Sequence, residues 1–345
     1  MHSTFRNNLW FLLLGLLTVV LFVANLGFGS VMLPWTEVLK ALFHASHADS
    51  TALIIVNQYR MPQAITALST GILLSMSGLV LQTLFRNPLA GPSVLGISSG
   101  ASLGVAVVLL SGSVAGIDLS STAIVGNLAV VLAALAGALL VLGVILFVSA
   151  RVANVITVLI IGIMLGYAVS AVVSVLQFFS GSEDLHAYVL WGLGSFSKAT
   201  MQQSFLLLFS ALAGILILFF YVKSLNALLL GEDYARSLGF HPLRIQRFLI
   251  LVTGILVAVG TAFTGPIAFL GLAVPHLARG FFKTSQQGVL LPATILMGAA
   301  LALFCNLVAK LPGYDISLPI NAVTSLVGAP VIIWVIMKSR HIKFG

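Results

Sequence analysis

Long apolar runs, broken by short polar or Gly- and Pro-containing stretches, repeat along the whole chain. A helix needs roughly 20 apolar residues to cross the ~30 Å hydrocarbon layer, so these runs read as membrane spans. About ten can be drawn. They are Leu9–Phe28, Gln63–Leu84, Leu95–Leu110, Ile124–Ser149, Val155–Phe179, Met201–Tyr221, Ile245–Thr264, Pro266–Gly280, Val289–Leu311 and Asn321–Met337. The eighth is short and rich in Gly and Pro. Leu9–Phe28 follows Arg6, is long for a signal-peptide core and has no clear small-x-small cleavage site after it, so it reads as a retained first span. The expected class is all-α, a polytopic membrane protein.

One polar interruption differs from the rest. Glu232–Arg247 (EDYARSLGFHPLRIQR) holds five charged residues, Glu232, Asp233, Arg236, Arg244 and Arg247, between two apolar segments. Glu232 and Asp233 suit a helix N-terminus, and Arg236 lies one turn on from both. Gly239 can take a left-handed stop, and Pro242 can restart a helix at its first position. Two helices this short hold no core of their own. By shape alone, a docking element and a solvated loop are equally good readings.

Composition sharpens the picture. Hydrophobic residues are 60% of the chain and mean hydropathy is +1.16, more apolar surface than a soluble domain can bury. The single cysteine, Cys305, excludes an intramolecular disulfide framework and a thiol metal cluster. The formal charge of +8 does not indicate nucleic acid, because the cations are scattered between apolar segments without interleaved aromatics. With the N-terminus inside, twelve of the 16 basic residues fall on the cytoplasmic side, leaving Lys40, Arg60, Lys198 and Lys310 outside. That bias predicts N-in, C-in topology and a cytoplasmic Glu232–Arg247 island. No Asp or Glu falls in the middle of a predicted span. Proton- and sodium-coupled carriers keep such groups near the midplane, so a secondary carrier is disfavoured and the driving energy should enter from elsewhere.

Other candidate chemistry is thin. His276 has no second ligand at metal-binding spacing, and His44 and His47 read as a solvated loop, so no metal site is expected. Gly96–Gly100 lacks the Lys-Ser/Thr pair of a phosphate loop. Ser98, Ser99 and Ser102 have no paired base, which leaves a hydrolase unsupported. Gly96, Gly100 and Gly104 recur every four residues, as do Gly162 and Gly166, a spacing that permits close helix packing.

LQTLFRNPLAGPSVLGISSGASLG (Leu81–Gly104) resembles the permease subunits of ATP-binding-cassette importers for iron–siderophores, haem and cobalamin, the FecCD-type, type II importers. The likeness continues in order through YRMP (Tyr59–Pro62), WGLGSF (Trp191–Phe196), GEDYARSLGF (Gly231–Phe240), GPIAFLGLAVPHLAR (Gly265–Arg279), LLP (Leu290–Pro292) and LPINAVTSLVGAPVIIW (Leu318–Trp334).

The resemblance implies one permease domain over 1–345 in the bacterial inner membrane, working as a homodimer with two cytoplasmic ATP-binding subunits and a periplasmic substrate-binding protein. ATP and Mg would sit on the partner subunits, with no cofactor on this chain and no enzymatic step of its own. The implied cargo is an iron chelate, a siderophore or haem, with cobalamin as the alternative. A scaffold without transport is the further rival. Coupling helices at 231–247, with Glu232, Ala235, Arg236, Leu238 and Gly239, would meet the ATPase. Arg60 and Lys310 would face acidic residues of the binding protein. This chain has Gln63 where the family often has a second Arg, and Lys310 where Arg is common, which bears on docking because Lys forms no forked pair. Along the ligand path the likeness places Gly162, Gly166, Tyr167, Ser170, Thr324, Ser325 and Gly328. Val155 and Ile156 fall in the inner-gate turn, Ala153–Thr157.

Overall fold

Every regular element among the described residues is helical, as a chain of apolar runs in a solvent without hydrogen-bonding partners requires. The computed structural model describes residues 2–43, 49–110, 123–152, 154–311 and 317–339; His44, His47 and Ala153 lie outside them. In chain order the helices are α1 (His2–Gly27), α2 (Trp35–Leu42), α3 (Ser50–Ile54), α4 (Met61–Leu84) and α5 (Ile97–Leu110). Then come α6 (Ala123–Arg151), α7 (Val155–Phe179), α8 (Ser182–Gly192), α9 (Met201–Phe220) and α10 (Val222–Leu230). The last five are α11 (Glu232–Ser237), α12 (Pro242–Thr264), α13 (Leu270–Phe282), α14 (Gln287–Ala309) and α15 (Ile320–Ser339). Among the described residues seven helical stretches are long and apolar enough to cross a membrane; Ile97–Leu110 and Ile320–Ile333 are shorter apolar helices. The eighth predicted segment is the 13-residue α13, which carries Pro275.

The second predicted span starts further out than Gln63. Ser50–Leu84 forms one continuous helical stretch, because a wider π-helical turn, Ile55–Arg60, joins α3 to α4. Pro62 lacks an N–H and crowds the preceding turn, and the wider winding just before it takes up that disturbance without ending the helix.

The contacts divide the chain into two compact units, 1–76 with 195–219 and 268–345, and 77–194 with 220–267. In the first, α14 packs on α1 and α13. Thr18 and Asn25 on α1 donate to the carbonyls of Leu296 and Leu303 on α14, at 3.4 and 3.0 Å, so the two helices run parallel in a fixed register. Gly71 of α4 meets the backbone of α14 at Gly298, where any side chain would collide. In the second unit α5 lies against α6. A Cβ on Gly100 would fall 2.5 Å from the Gly137 carbonyl, and one on Gly104 would overlap the Ala133 carbonyl. The four-residue spacing of these glycines is therefore a helix-packing face. Gly96 stands apart: at φ +71° it breaks a short 3₁₀ turn, Pro92–Leu95, from α5, so that helix begins two residues later than predicted.

Candidate functional site

The Glu232–Arg247 island folds as a helix pair. Gly231 at φ 125° turns the chain out of α10, and α11 ends on Gly239 at φ 83°. The Gly239 N–H donates to the Arg236 carbonyl at 2.9 Å and the Phe240 N–H to the Ala235 carbonyl at 3.0 Å. That pair of bonds is the Schellman arrangement, and it stops α11 after six residues. Pro242 then occupies the first turn of α12.

Three contacts keep the pair from swinging freely. Ala235 is fully buried and sets the inner face of α11. Gln246 on α12 donates to the Glu232 carboxylate at 3.1 Å. Arg247, one residue on, donates to the carbonyls of Ser149 and Ala150 at 3.1 Å each, satisfying the last turn of α6. Arg236 reaches Glu232 and Asp233 at 3.7 Å, but these pairs are exposed and add little rigidity. The outer face presents Tyr234, Arg236, Leu238 and Gly239 to solvent, and nothing lies within 4 Å of a side chain added at Gly239. An exposed Tyr234 on this six-residue helix and Leu238 at its cap, held from behind by the buried Ala235 and by partly buried polar contacts, form a small rigid knob. From the sequence Arg247 stands out only as one of the island's charges, with no partner, and Gln246 does not stand out at all; their signal is a polar pair opening an otherwise apolar span.

At the other expected contact site the structure brings Arg60 and Lys310 together in the first unit. Both line a pocket of about 340 Å³ with Gly29, Tyr59, Gln63 and Ser197. Neither is an exposed cation: Arg60 is 4% and Lys310 8% accessible. The Arg60 guanidinium donates to the carbonyls of Leu26, at 2.9 Å, Gly27, at 2.7 Å, and Val31, which closes the end of α1 and the turn after it. Lys310 Nζ donates to the Asn25 carbonyl at 2.8 Å. Behind them Gln63 donates to Asn306 at 3.1 Å, and Asn306 donates to Asn25 at 2.7 Å. Asn25 and Asn306 were missed in the sequence, although an Asn inside an apolar run is costly enough to be a signal.

The expected path residues divide. Tyr167, at 69% accessible, Ile156 and Ser170 lie on the exposed face of α7, with Val155 partly covered. The Ser170 hydroxyl donates back to the Gly166 carbonyl at 2.9 Å. Gly162 and Gly166 instead face Leu95 and Gly96: a Cβ on Gly162 would lie 3.1 Å from the Leu95 Cα. On α15, Thr324 is buried and donates to the Asn321 carbonyl at 3.2 Å, Ser325 is partly covered, and Gly328 sits under Phe269.

An all-helical, multi-pass chain with a charged helix pair held at one polar break has the architecture of a polytopic membrane protein. The chain belongs to the FecCD transport family, whose model matches residues 17–338. It is 36% identical over 340 residues to the vitamin B12 import system permease protein BtuC of Salmonella typhi, with 97% of each chain covered. The counterpart in Klebsiella pneumoniae subsp. pneumoniae is 34% identical over 336 residues, covering 97% of this chain and 95% of that one. Among solved structures, an inward-facing transporter described as of metal-chelate ABC type superposes with a TM-score of 0.82 at 29% identity, over 95% of this chain and 98% of that one. PsaBC from Streptococcus pneumoniae, at 18% identity and a TM-score of 0.52, shares the fold alone. The protein is thus an ATP-binding-cassette importer permease, a multi-pass membrane transport subunit and not an enzyme. Its family implies an ATPase and a substrate-binding protein as partners.

Proposed function

We propose that this chain forms the membrane path of an importer for a metal chelate, working as a homodimer with two cytoplasmic ATP-binding subunits and a periplasmic binding protein. ATP and Mg belong to the partner subunits, and this chain holds no cofactor. The observation that carries the coupling is the rigid knob of α11. A push on Tyr234, Leu238 and Gly239 passes through Ala235 and the Glu232–Gln246 bond to α12, and through Arg247 to the end of α6. Coupling needs contacts that differ between states of the partner, and a stiff element transmits such a difference where a loose loop would absorb it. The charge bias of the polar segments places this knob in the cytoplasm and the Arg60–Lys310 pocket outside.

The cargo read from the sequence is an iron chelate, a siderophore or haem. The vitamin B12 permeases among the relatives favour a second reading, cobalamin. Proteoliposomes holding the chain with its ATPase, supplied with the cognate binding protein and labelled ferric siderophore, haem or cobalamin in turn, decide between them. Accumulation of one chelate, dependent on ATP, is the expected outcome. Uptake that persists without ATP and follows a proton or sodium gradient would overturn the reading.

A further inference from the structure

We propose that a groove between α1, α13 and α14 is a binding site for a single anionic phospholipid, with its acyl chain in the groove and its phosphate at Arg6 and Lys283. The groove encloses about 360 Å³ and is walled by Leu13, Leu17 and Leu21 of α1, Leu277 and Phe281 of α13, and Leu301 of α14. From Trp10 to Leu21 it runs about 16 Å along α1, close to half of the ~30 Å hydrocarbon layer, which is the depth of one leaflet.

One end of the groove is different from the rest. Trp10 meets Phe281 edge-on at 5.5 Å, and Phe11 packs on Phe282 at 4.8 Å. A Trp there suits the level where hydrocarbon gives way to headgroups. Arg6 lies one helical turn before Trp10, on the face that continues through Leu13, Leu14, Leu17 and Leu21. Lys283 follows Phe282 directly and is turned out of α13 by a left-handed conformation, φ 49°. Both cations are exposed, and among the described residues neither forms an ion pair. Both also fall on the side assigned to the cytoplasm. Two exposed cations at the interfacial end of a leaflet-deep apolar groove match an anionic glycerophospholipid in charge and in shape. A zwitterionic lipid would fill the groove equally well but would gain little from the cations.

Trp10 is the reporter. The full chain is placed in nanodiscs of phosphatidylcholine containing increasing fractions of brominated phosphatidylglycerol or brominated phosphatidylcholine, and Trp fluorescence is followed. The Trp10 contribution is the difference between the wild-type chain and Trp10→Phe. Half-quenching is expected at a brominated phosphatidylglycerol fraction at least about threefold lower than for brominated phosphatidylcholine. Arg6→Gln with Lys283→Gln, both at exposed positions, should remove that difference while leaving quenching by either lipid intact. Leu17→Phe, which adds bulk to the groove from a half-exposed position without adding a second reporter, should weaken quenching of Trp10 by both lipids. Equal quenching by the two headgroups in the wild-type chain would overturn the proposal, leaving only bulk lipid against the helix. So would a preference that survives the double Gln variant. Absence of quenching by either lipid would also overturn it, by showing the groove filled by protein.

Discussion

At Gly239 a single backbone conformation decides what α11 can be. Its φ of 83° lies where L-residues pay about 1–2 kcal/mol, and more for a β-branched side chain, while the surrounding space is empty. Gly239→Val is therefore expected to loosen the Schellman stop without a clash, leaving the complex assembled but lowering ATP-dependent uptake at least about tenfold; Gly239→Asn, which tolerates this conformation, should retain most of it. Side-by-side uptake and ATPase measurements check this, and unchanged uptake in the Val variant would remove Gly239 from the coupling role. Arg60 calls for a gentler change than charge reversal. A carboxylate there would face the carbonyls of Leu26, Gly27 and Val31, so lost docking and lost folding would be confused. Arg60→Gln with Lys310→Gln keeps donors in place and removes both charges. Binding-protein affinity should fall and its dependence on ionic strength should flatten, because complementary charge acts mainly through encounter and register. An unchanged salt slope would show that the pocket is not the dock.

Among the elements, α5 and α6 owe their closeness to missing side chains. Gly104→Leu would drive a side chain into the Ala133 carbonyl, and overpacking of this kind costs about 1–3 kcal/mol. The expected result is a lower melting temperature and poor yield of folded chain; a variant that melts with the wild type would mean that the two helices slide apart freely. The island meets α6 at a different point. Arg247→Ala leaves the Ser149 and Ala150 carbonyls without that donor, a loss of about 1–3 kcal/mol locally for bonds to a charged group. Faster amide exchange over the last turn of α6 and at the start of α12, with the rest of the chain unchanged, is the expected signature. The two helix junctions also show where element boundaries escape a sequence reading. Pro62 looks like a boundary, but a wider helical turn carries the chain past it. Gly96 looks like the first of three glycines packing on one helix, but it packs on Gly162 and Gly166 instead and starts α5 by its left-handed turn.

For the whole molecule, much of the apolar surface is uncovered: Phe178, Tyr167, Ile160 and Met164 along α7 all face outward. A membrane and a second copy are the two coverings open to such a face. Cys305 is buried, so the native chain gives a quiet background for thiol chemistry. Tyr167→Cys in the reconstituted complex should cross-link two copies, and the cross-link should block uptake; a chain that stays monomeric under oxidation would place the path elsewhere. The class, the helical character of the spans and the helix pair of the island were legible in the sequence, because the hydrocarbon layer forces backbone pairing within each span and the island carries its own start and stop residues. The helix stop at Gly239 was legible for the same local reason, since a left-handed turn needs little beyond its own residue. What Arg60 and Lys310 touch was not legible: the carbonyls of Leu26, Gly27 and Val31 and of Asn25 come from segments distant in the chain. Nor could spacing say that Gly162 and Gly166 would pack on Leu95 and Gly96, since close packing and an open path call for the same small residues. Local backbone chemistry and the solvent were written in the sequence. Which buried polar group pairs with which, and which side of each helix is covered, depended on contacts between distant segments, and only the tertiary structure supplied them.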